Sequence, residues 1–272
     1  MPGVFMLDGF YFRDEVALSI VRTPCAVILA AGRGTRMEGS AGNRPKGFLP
    51  ALERTFISRS IDILRAEGVT DILIVTGYGA TFFETLAGSY GGLVRTVFNP
   101  DFETKGTMRS LLAALDLPIG PFLVLDADIV FERRAVRGLL VDDADNAITL
   151  SGIGTLGDEF LAWTESEHQG GRHWLRHLSK RQTDRDDPPT GEHMGIMKIG
   201  AALADALRSW ADQNPSDAAL LPYETCLLHL LDHHDMAALH IPDLIWSEVD
   251  TAAMLDYAQK VVLPKLALMD DF

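Results

Sequence analysis

Along the first half of the chain, short apolar runs alternate with stretches whose apolar positions recur at helical spacing. Ala26 to Leu29 form a continuous, partly β-branched run that predicts a buried strand, and it stops at the small residues Ala30, Ala31 and Gly32. Ile57, Ile61 and Leu64 then recur on one helical face and Gly68 supplies a stop, so Thr55 to Glu67 predicts an amphipathic helix. Asp71 to Thr76 predicts the second strand, closed by a Gly77-Tyr78-Gly79 turn. Leu93 to Phe98 predicts the third, which stops at Asn99-Pro100. Gly106 to Leu115 reads as the next helix and Pro121 to Asp126 as the fourth strand. Such alternation specifies an α/β class, a Rossmann-like doubly wound sheet with right-handed crossovers. Ligands of these sheets sit beyond the carboxyl ends of the strands, where the Ala31 loop, the Gly77 turn, the Asn99 turn and the Asp126 to Asp128 strand end converge. After Ala147 the alternation is less regular, which predicts a smaller closing lobe. Leu203, Leu207 and Trp210, and then Thr225, Leu228 and Asp232, mark helices there.

The loop after the first strand carries the densest chemistry. Gly32 and Gly34 allow successive N–H groups to converge on one anion, and Arg33, Arg36, Arg44 and Lys46 bring cations to it. The pattern predicts a polyphosphate cradle. A P-loop would need Gly-Lys-Ser/Thr after the glycines, whereas Gly34 is followed by Thr35 and Arg36. A dinucleotide fingerprint would need a third glycine where Met37 stands. Two glycines also fit an ordinary strand-to-helix loop with solvated arginines, and it is the downstream Pro45-Lys46 pair that favours the cradle.

Composition narrows the partners. The 272 residues, 47% hydrophobic, suit one large α/β domain with a modest lobe. A formal net charge of −14 argues against a general nucleic-acid surface and makes the basic Arg33 to Lys46 cluster more telling. Cys25 and Cys226 read as small core residues rather than a disulfide or metal pair, which points to reducing cytosol. There is no apolar run of membrane-spanning length and no secretion signal, so a cytoplasmic location is expected. Residues 1–23 form an N-terminal extension. They hold Phe5, Leu7, Phe10, Tyr11 and Phe12, too apolar for a free tail, and expected to pack on the domain or on a second copy in a homodimer.

AVILAAGRGTRM followed by PKGFLP resembles the signature of nucleotidyltransferases that join an NTP to a phosphorylated small molecule, the group containing sugar-1-phosphate nucleotidyltransferases and phosphocholine cytidylyltransferases. Within it, the chain most resembles the bacterial phosphocholine and 2-aminoethylphosphonate cytidylyltransferase branch. The likeness covers nearly the whole chain and implies a GT-A-like nucleotidyltransferase domain over 24–262, with an acceptor-binding lobe and a C-terminal tail from 263. It implies a Mg²⁺-dependent cytidylyltransferase that moves CMP from CTP to a small phosphonate or phosphate. Alternatives are a sugar-1-phosphate or inositol-1-phosphate nucleotidyltransferase, or a silent nucleotide-binding regulator.

By the same resemblance, Asp128 and Asp250, the latter in Trp246-Ser247-Glu248-Val249-Asp250, are expected to hold Mg²⁺, with Asp126 near the ribose or the metal's waters. Arg36 is expected on the β- and γ-phosphates, and Lys46 between the α-phosphate and the incoming anion. Ala30, Ala31, Gly32, Gly34, Thr35, Gly77, Tyr78 and Ser110 are expected around the nucleotide. On the acceptor side, Glu192 is the expected contact for an ammonium or hydroxyl group. Trp163, Tyr223 and Trp246 could cage a quaternary amine or serve as core. Thr107 replaces an Asn of the choline-type pattern. Arg109 stands where those enzymes favour an aromatic; it either faces an anionic acceptor or lies on the solvent face. The basic run from His168 to Arg185 reads mainly as a solvated face, with guidance of an anionic acceptor as the alternative in so acidic a chain, and its histidines lack the partners of a zinc site.

Overall fold

The computed structural model describes residues 6–7, 10–11, 25–34, 44–103, 106–117, 120–154, 159–166, 168 and 171–269. Short strands β1 (Met6–Leu7) and β2 (Phe10–Tyr11) pair antiparallel. The rest of the 1–23 extension, and the cradle residues Thr35 and Arg36, lie outside the described residues.

The central sheet starts with β3 (Cys25–Ala30), every residue of it buried. β4 (Pro50–Ala51) and β5 (Arg54–Thr55) lead into α1 (Phe56–Ala66), which Thr55 caps by accepting from the Ser58 N–H at 3.3 Å. β6 (Asp71–Thr76), α2 (Ala80–Gly88), β7 (Val94–Phe98), α3 (Thr107–Leu115) and β8 (Phe122–Asp126) continue the predicted alternation, with α2 added to it. There follow β9 (Ile129–Phe131), α4 (Arg134–Val141), β10 (Ala147–Ser151), β11 (Phe160–Ser166), β12 (His173–Ser179) and β13 (Gly191–Ile199). The chain ends with α5 (Ala201–Gln213), α6 (Pro215–Leu220), α7 (Tyr223–Leu228), β14 (Ala237–Ile241), β15 (Trp246–Glu248), α8 (Ala252–Tyr257) and α9 (Leu263–Ala267).

β7, β6, β3 and β8 are neighbours in parallel, and β13 joins β8 antiparallel, so the sheet is mixed. Alternation sends Val27, Leu29, Leu73, Val75 and Val124 into the core formed with α3 and α5. Ala26, Ile28, Ile72, Ile74, Leu123 and Leu125 enter the core formed with α1 and α4. With helices on both faces, these strands are apolar without interruption, as the sequence pattern requires. Beyond β8, β13 pairs on one edge with β8 and β11 and on the other with β10, and β14 and β12 complete a closed ring of strands. The ring is the smaller lobe expected after Ala147.

Two expected boundaries differ. α7 stops at Leu228, so Asp232 and the His233-His234 pair lie in the turn beyond the helix. The stretch from 263, expected as a tail, carries α9. Leu263 and Leu266 share one helical face and bury it in a core with Leu49, Phe56, Val130 and Val249. Among the described residues no helix is long and apolar enough to cross a membrane.

Candidate active site

At the carboxyl ends of β3 and β8 lies a cavity of about 260 Å³. One part of its wall is Ala30, Ala31, Gly32 and Gly34, the described portion of the cradle. Gly34 has φ +63°, and a Cβ there would stand 2.9 Å from Cγ of Lys46, so the loop rests directly on the lysine stem. Gly77 and Tyr78 do not line the cavity; the Tyr78 N–H donates to the Ala31 carbonyl at 3.0 Å and so braces the loop.

Two strand ends converge opposite Lys46. β9 and β15 pair antiparallel, and the Val249 N–H donates to the Asp128 carbonyl at 2.9 Å, which sets Asp250 beside Asp128. The Lys46 ammonium donates to Asp128 Oδ2 at 2.8 Å and to Asp250 Oδ1. Burial alone would depress that ammonium. The charge of Asp128 and the hydrogen bonds to both carboxylates outweigh it and raise the pKa to about 12. Asp128, Glu248 and Asp250 offer oxygens that all lie within 4.8 Å of one another. Burial, a hydrogen bond with Glu159 and the charges of Asp128 and Asp250 push the Glu248 carboxyl up to about 11. One lysine therefore does not neutralise this corner.

Asp126, at the end of β8, also lines the cavity. Burial and the charges of Glu224 and Asp128 hold its carboxyl well above the ordinary range. Gly195 of β13 makes room for it: with φ +77°, a Cβ there would lie 2.5 Å from Asp126 Oδ2. Gly195→Ala is expected to cost about 1–3 kcal/mol of stability through this clash and the left-handed backbone. Chemical denaturation measures it, and an unchanged midpoint would mean that β13 relaxes freely around Asp126.

The Asn99 turn reaches the cavity through Ser110, whose hydroxyl accepts from Asn99 Nδ2 at 3.1 Å and which lines the wall. Thr107 has a role that its departure from the choline-type pattern did not suggest. Its hydroxyl accepts from the Tyr223 N–H at 3.1 Å, fixing the start of α7 and placing the next residue, Glu224, in the cavity wall.

The acceptor-side expectations are revised. Arg109 pairs with Asp101 at 2.9 Å, is partly exposed and does not line the cavity, in keeping with the solvent-face alternative. Glu192 is buried and directed to Gly154, where a Cβ would stand 3.0 Å from its Oε2. His193, the next residue, takes the cavity face, and strand alternation turns Glu192 away. Trp246 packs on the core of α1 and α4, Trp163 is buried with its indole N–H given to the Asp187 carbonyl at 2.8 Å, and Tyr223 is buried in the core of α3 and α5. No aromatic cage forms from them. The cavity wall instead holds Glu159, Lys180, His193 and Glu224. Lys180 belongs to the basic run from His168 to Arg185, His193 lies in the strand segment that also carries Glu192, and Glu159 and Glu224 carry no local motif. Burial holds the His193 imidazole down to about 4, so it is neutral near pH 7.

A mixed sheet whose strand ends gather a glycine loop, a lysine and a set of carboxylates around one cavity defines a Rossmann-like α/β ligand-binding protein. The family is narrower: residues 26–186, more than half of the chain, match the MobA-like NTP transferase domain, and the chain belongs to that family. It is 30% identical over 128 residues, 46% of its length, to the CMP-5'-(3-aminopropyl)phosphonate synthase of Streptomyces rubellomurinus. It is 35% identical over 112 residues, 41% of its length, to the choline-phosphate cytidylyltransferase of Streptococcus pneumoniae. The matched stretch spans 20% of the first relative and 48% of the second. Among solved structures, the inositol-1-phosphate CTP transferase from T. maritima superposes with a TM-score of 0.73 at 17% identity, covering 90% of this chain and 96% of that one. The CTP:phosphocholine cytidylyltransferase from Streptococcus pneumoniae gives 0.68 at 21% identity, covering 87% and 97%. The GT-A-like nucleotidyltransferase fold expected from the sequence is thus the fold observed.

Proposed function

We propose that the protein transfers CMP from CTP to a small phosphonate or phosphate and releases pyrophosphate. The observation that supports this most is the Lys46 ammonium bonded to both Asp128 and Asp250 beside the glycine loop. The names of the S. rubellomurinus and S. pneumoniae relatives favour cytidine as the base and an organophosphorus acid as the acceptor.

The donor set suits a divalent cation. Asp128, Glu248 and Asp250 are hard oxygen ligands close enough to share one ion, and Mg²⁺ commonly takes one or two protein carboxylates and completes its shell with water and phosphate. Burial and the crowding of Asp128 and Asp250 beside it hold the Glu248 carboxyl protonated, and that crowding favours a further cation there. A bound Mg²⁺ would supply neutralisation and orientation of phosphate oxygens. Asp128 and Asp250 would hold it.

The chain's own groups do the rest. The loop from Ala30 to Gly34 offers backbone N–H groups to the nucleotide, Arg36 grips the β- and γ-phosphates, and Lys46 bridges the α-phosphate and the acceptor anion. An acceptor oxygen attacks the α-phosphorus; the new P–O bond forms as the α–β phosphoanhydride bond breaks, and its electron pair leaves on pyrophosphate. That oxygen is ionised near neutral pH, so no general base is required, and alignment with charge neutralisation supplies the acceleration.

The test is pyrophosphate release with Mg²⁺ for each of four NTPs against small phosphonates, phosphocholine, inositol-1-phosphate and glucose-1-phosphate. Release with CTP and one phosphonate or phosphocholine is the expected result. Equal turnover of UTP would remove the base preference, and nucleotide binding without release under any pairing would favour the silent regulator.

A further inference from the structure

β9 and β15 lie outside the central sheet and form a two-stranded sheet of their own. Their register sets Trp246 opposite Phe131 and Glu248 opposite Ile129, and this register carries Asp250 to Asp128. A slip of one residue would turn the side chains of one strand to the other face and part the two carboxylates. A pair of strands is marginal by itself, so the register needs support at its ends.

At the end near the cavity the support is the backbone bond from the Val249 N–H to the Asp128 carbonyl at 2.9 Å. At the far end it is denser. The Glu132 N–H donates to the Ile245 carbonyl at 3.0 Å, and Arg134, the first residue of α4, spans the two chain segments. Its Nε donates to Glu132 Oε1, directly after β9, and its two terminal nitrogens donate to the Asp243 carboxylate at 3.3 Å, shortly before β15. Asp243 lies in a turn in which the Leu244 N–H donates to the Ile241 carbonyl at 3.1 Å, so the same guanidinium reaches the connection from β14 of the lobe.

Burial decides how much such a clamp matters. Ion pairs at the surface contribute little, and Asp243 is exposed. Glu132 differs: its side chain is 2% exposed and its Oε2 has no hydrogen-bond partner. Without Arg134 neither oxygen of this buried carboxylate would have a partner among the described residues, which is a costly state. Glu132 would then be drawn towards water, and its N–H is the one that holds Ile245 beside β9.

We propose that Arg134 is a positioning residue for the divalent cation: by joining Glu132 to Asp243 it fixes β15 on β9, and so keeps Asp250 close enough to Asp128 for the two to share one ion. This rests on the metal reading proposed above. Arg134 does not line the cavity and acts through the paired strands alone.

The experiment is a Mn²⁺ titration of the nucleotide-free protein, followed by the EPR signal of the free ion. Arg134→Ala is expected to weaken Mn²⁺ binding about 10-fold, the low end of what outer residues contribute to metal affinity. Asp243→Ala opens the clamp but leaves Arg134 on the buried Glu132, and is expected to weaken binding by less. Arg137→Ala removes from the same helix a cation paired with Glu67, away from β15, and is expected to leave binding unchanged. A folded Arg134→Ala that binds Mn²⁺ as tightly as the wild type overturns the positioning role and leaves the metal reading standing. Equal weakening in Arg137→Ala overturns it too, since any loss of stability would then suffice. Should Arg134→Ala fail to fold, Asp243→Ala decides, and an unchanged affinity there overturns the role. A wild-type protein that binds no Mn²⁺ overturns the metal reading and this one with it.

Discussion

Alanine at Asp250, or at Asp128, is expected to lower CTP-dependent pyrophosphate release by about a thousandfold, the several kcal/mol that a metal contributes to a phosphoryl-type transition state. The two carboxylates are far apart in the sequence, Asp128 at mid-chain and Asp250 near its end, and meet because β9 and β15 pair. Neither substitution should unfold the protein. Each removes one partner of Lys46 and leaves the other, while relieving repulsion in a corner where the Glu248 carboxyl is already driven up to about 11. The melting temperature should therefore stay within a few degrees, and Mn²⁺ binding, followed by its EPR signal, should weaken in step with turnover. A variant that keeps near-wild-type release removes that residue from the mechanism. One that loses release but binds Mn²⁺ normally would place the residue in catalysis without metal contact.

The sheet was legible because its physics is local. β3, β6 and β8 are short apolar runs buried on both faces, and α1 and α3 carry apolar residues on one side, so each element shows its character within a few residues. The nucleotide end of the site was legible for a related reason. Gly32 and Gly34 directly follow β3, Lys46 lies on the connection from β3 to β4, and Asp126 closes β8, and topology assigns strand ends and connections of this kind to one edge. The α7 end of the cavity was not legible. Glu224 sits on a short helix within an apolar stretch, and it faces the cavity only because α3 meets α7 through Thr107 and Tyr223, more than a hundred positions apart. Glu192 drew attention as an acid in a strand expected to line the pocket, but alternation gives that face to His193. Gly195 of β13 is left-handed and leaves room for Asp126, a backbone feature that composition does not announce.

The cavity is also more acidic than the cradle alone suggested. Among the described lining residues, Lys46 and Lys180 are the cations, against Asp126, Asp128, Glu159, Glu224 and Glu248. A nucleotide triphosphate entering alone would meet repulsion. On the reading proposed above, entry together with a divalent cation would reverse that balance, with Asp128 and Asp250 as the carboxylates that would hold the ion.

Lys46→Met is expected to produce the second large effect, and in two separable measurements. Release should fall by about 10²–10³-fold, as when one preorganised donor to a developing charge is removed. The metal-free protein should also lose about 3 kcal/mol, since removing one partner of a buried ion pair strands the others, and the Lys46 side chain is 14% exposed. Mg²⁺ or Mn²⁺ should restore much of that loss in the variant and do less for the wild type, because the ion then replaces the missing ammonium. The sign with pH is fixed. Lys46, with its pKa near 12, stays charged from pH 6 to 9 and contributes equally across that range. In the variant the carboxylates lose their counter-charge and bind protons more readily than in the unfolded chain. Its stability should then fall as pH rises, leaving a larger deficit at pH 8 than at pH 6. Denaturant midpoints at those two pH values, with and without metal, decide the matter. A deficit that neither metal nor acid relieves would mean that Lys46 supports the loop at Gly34 by packing alone, and that its ammonium is not the cation on which Asp128 and Asp250 depend.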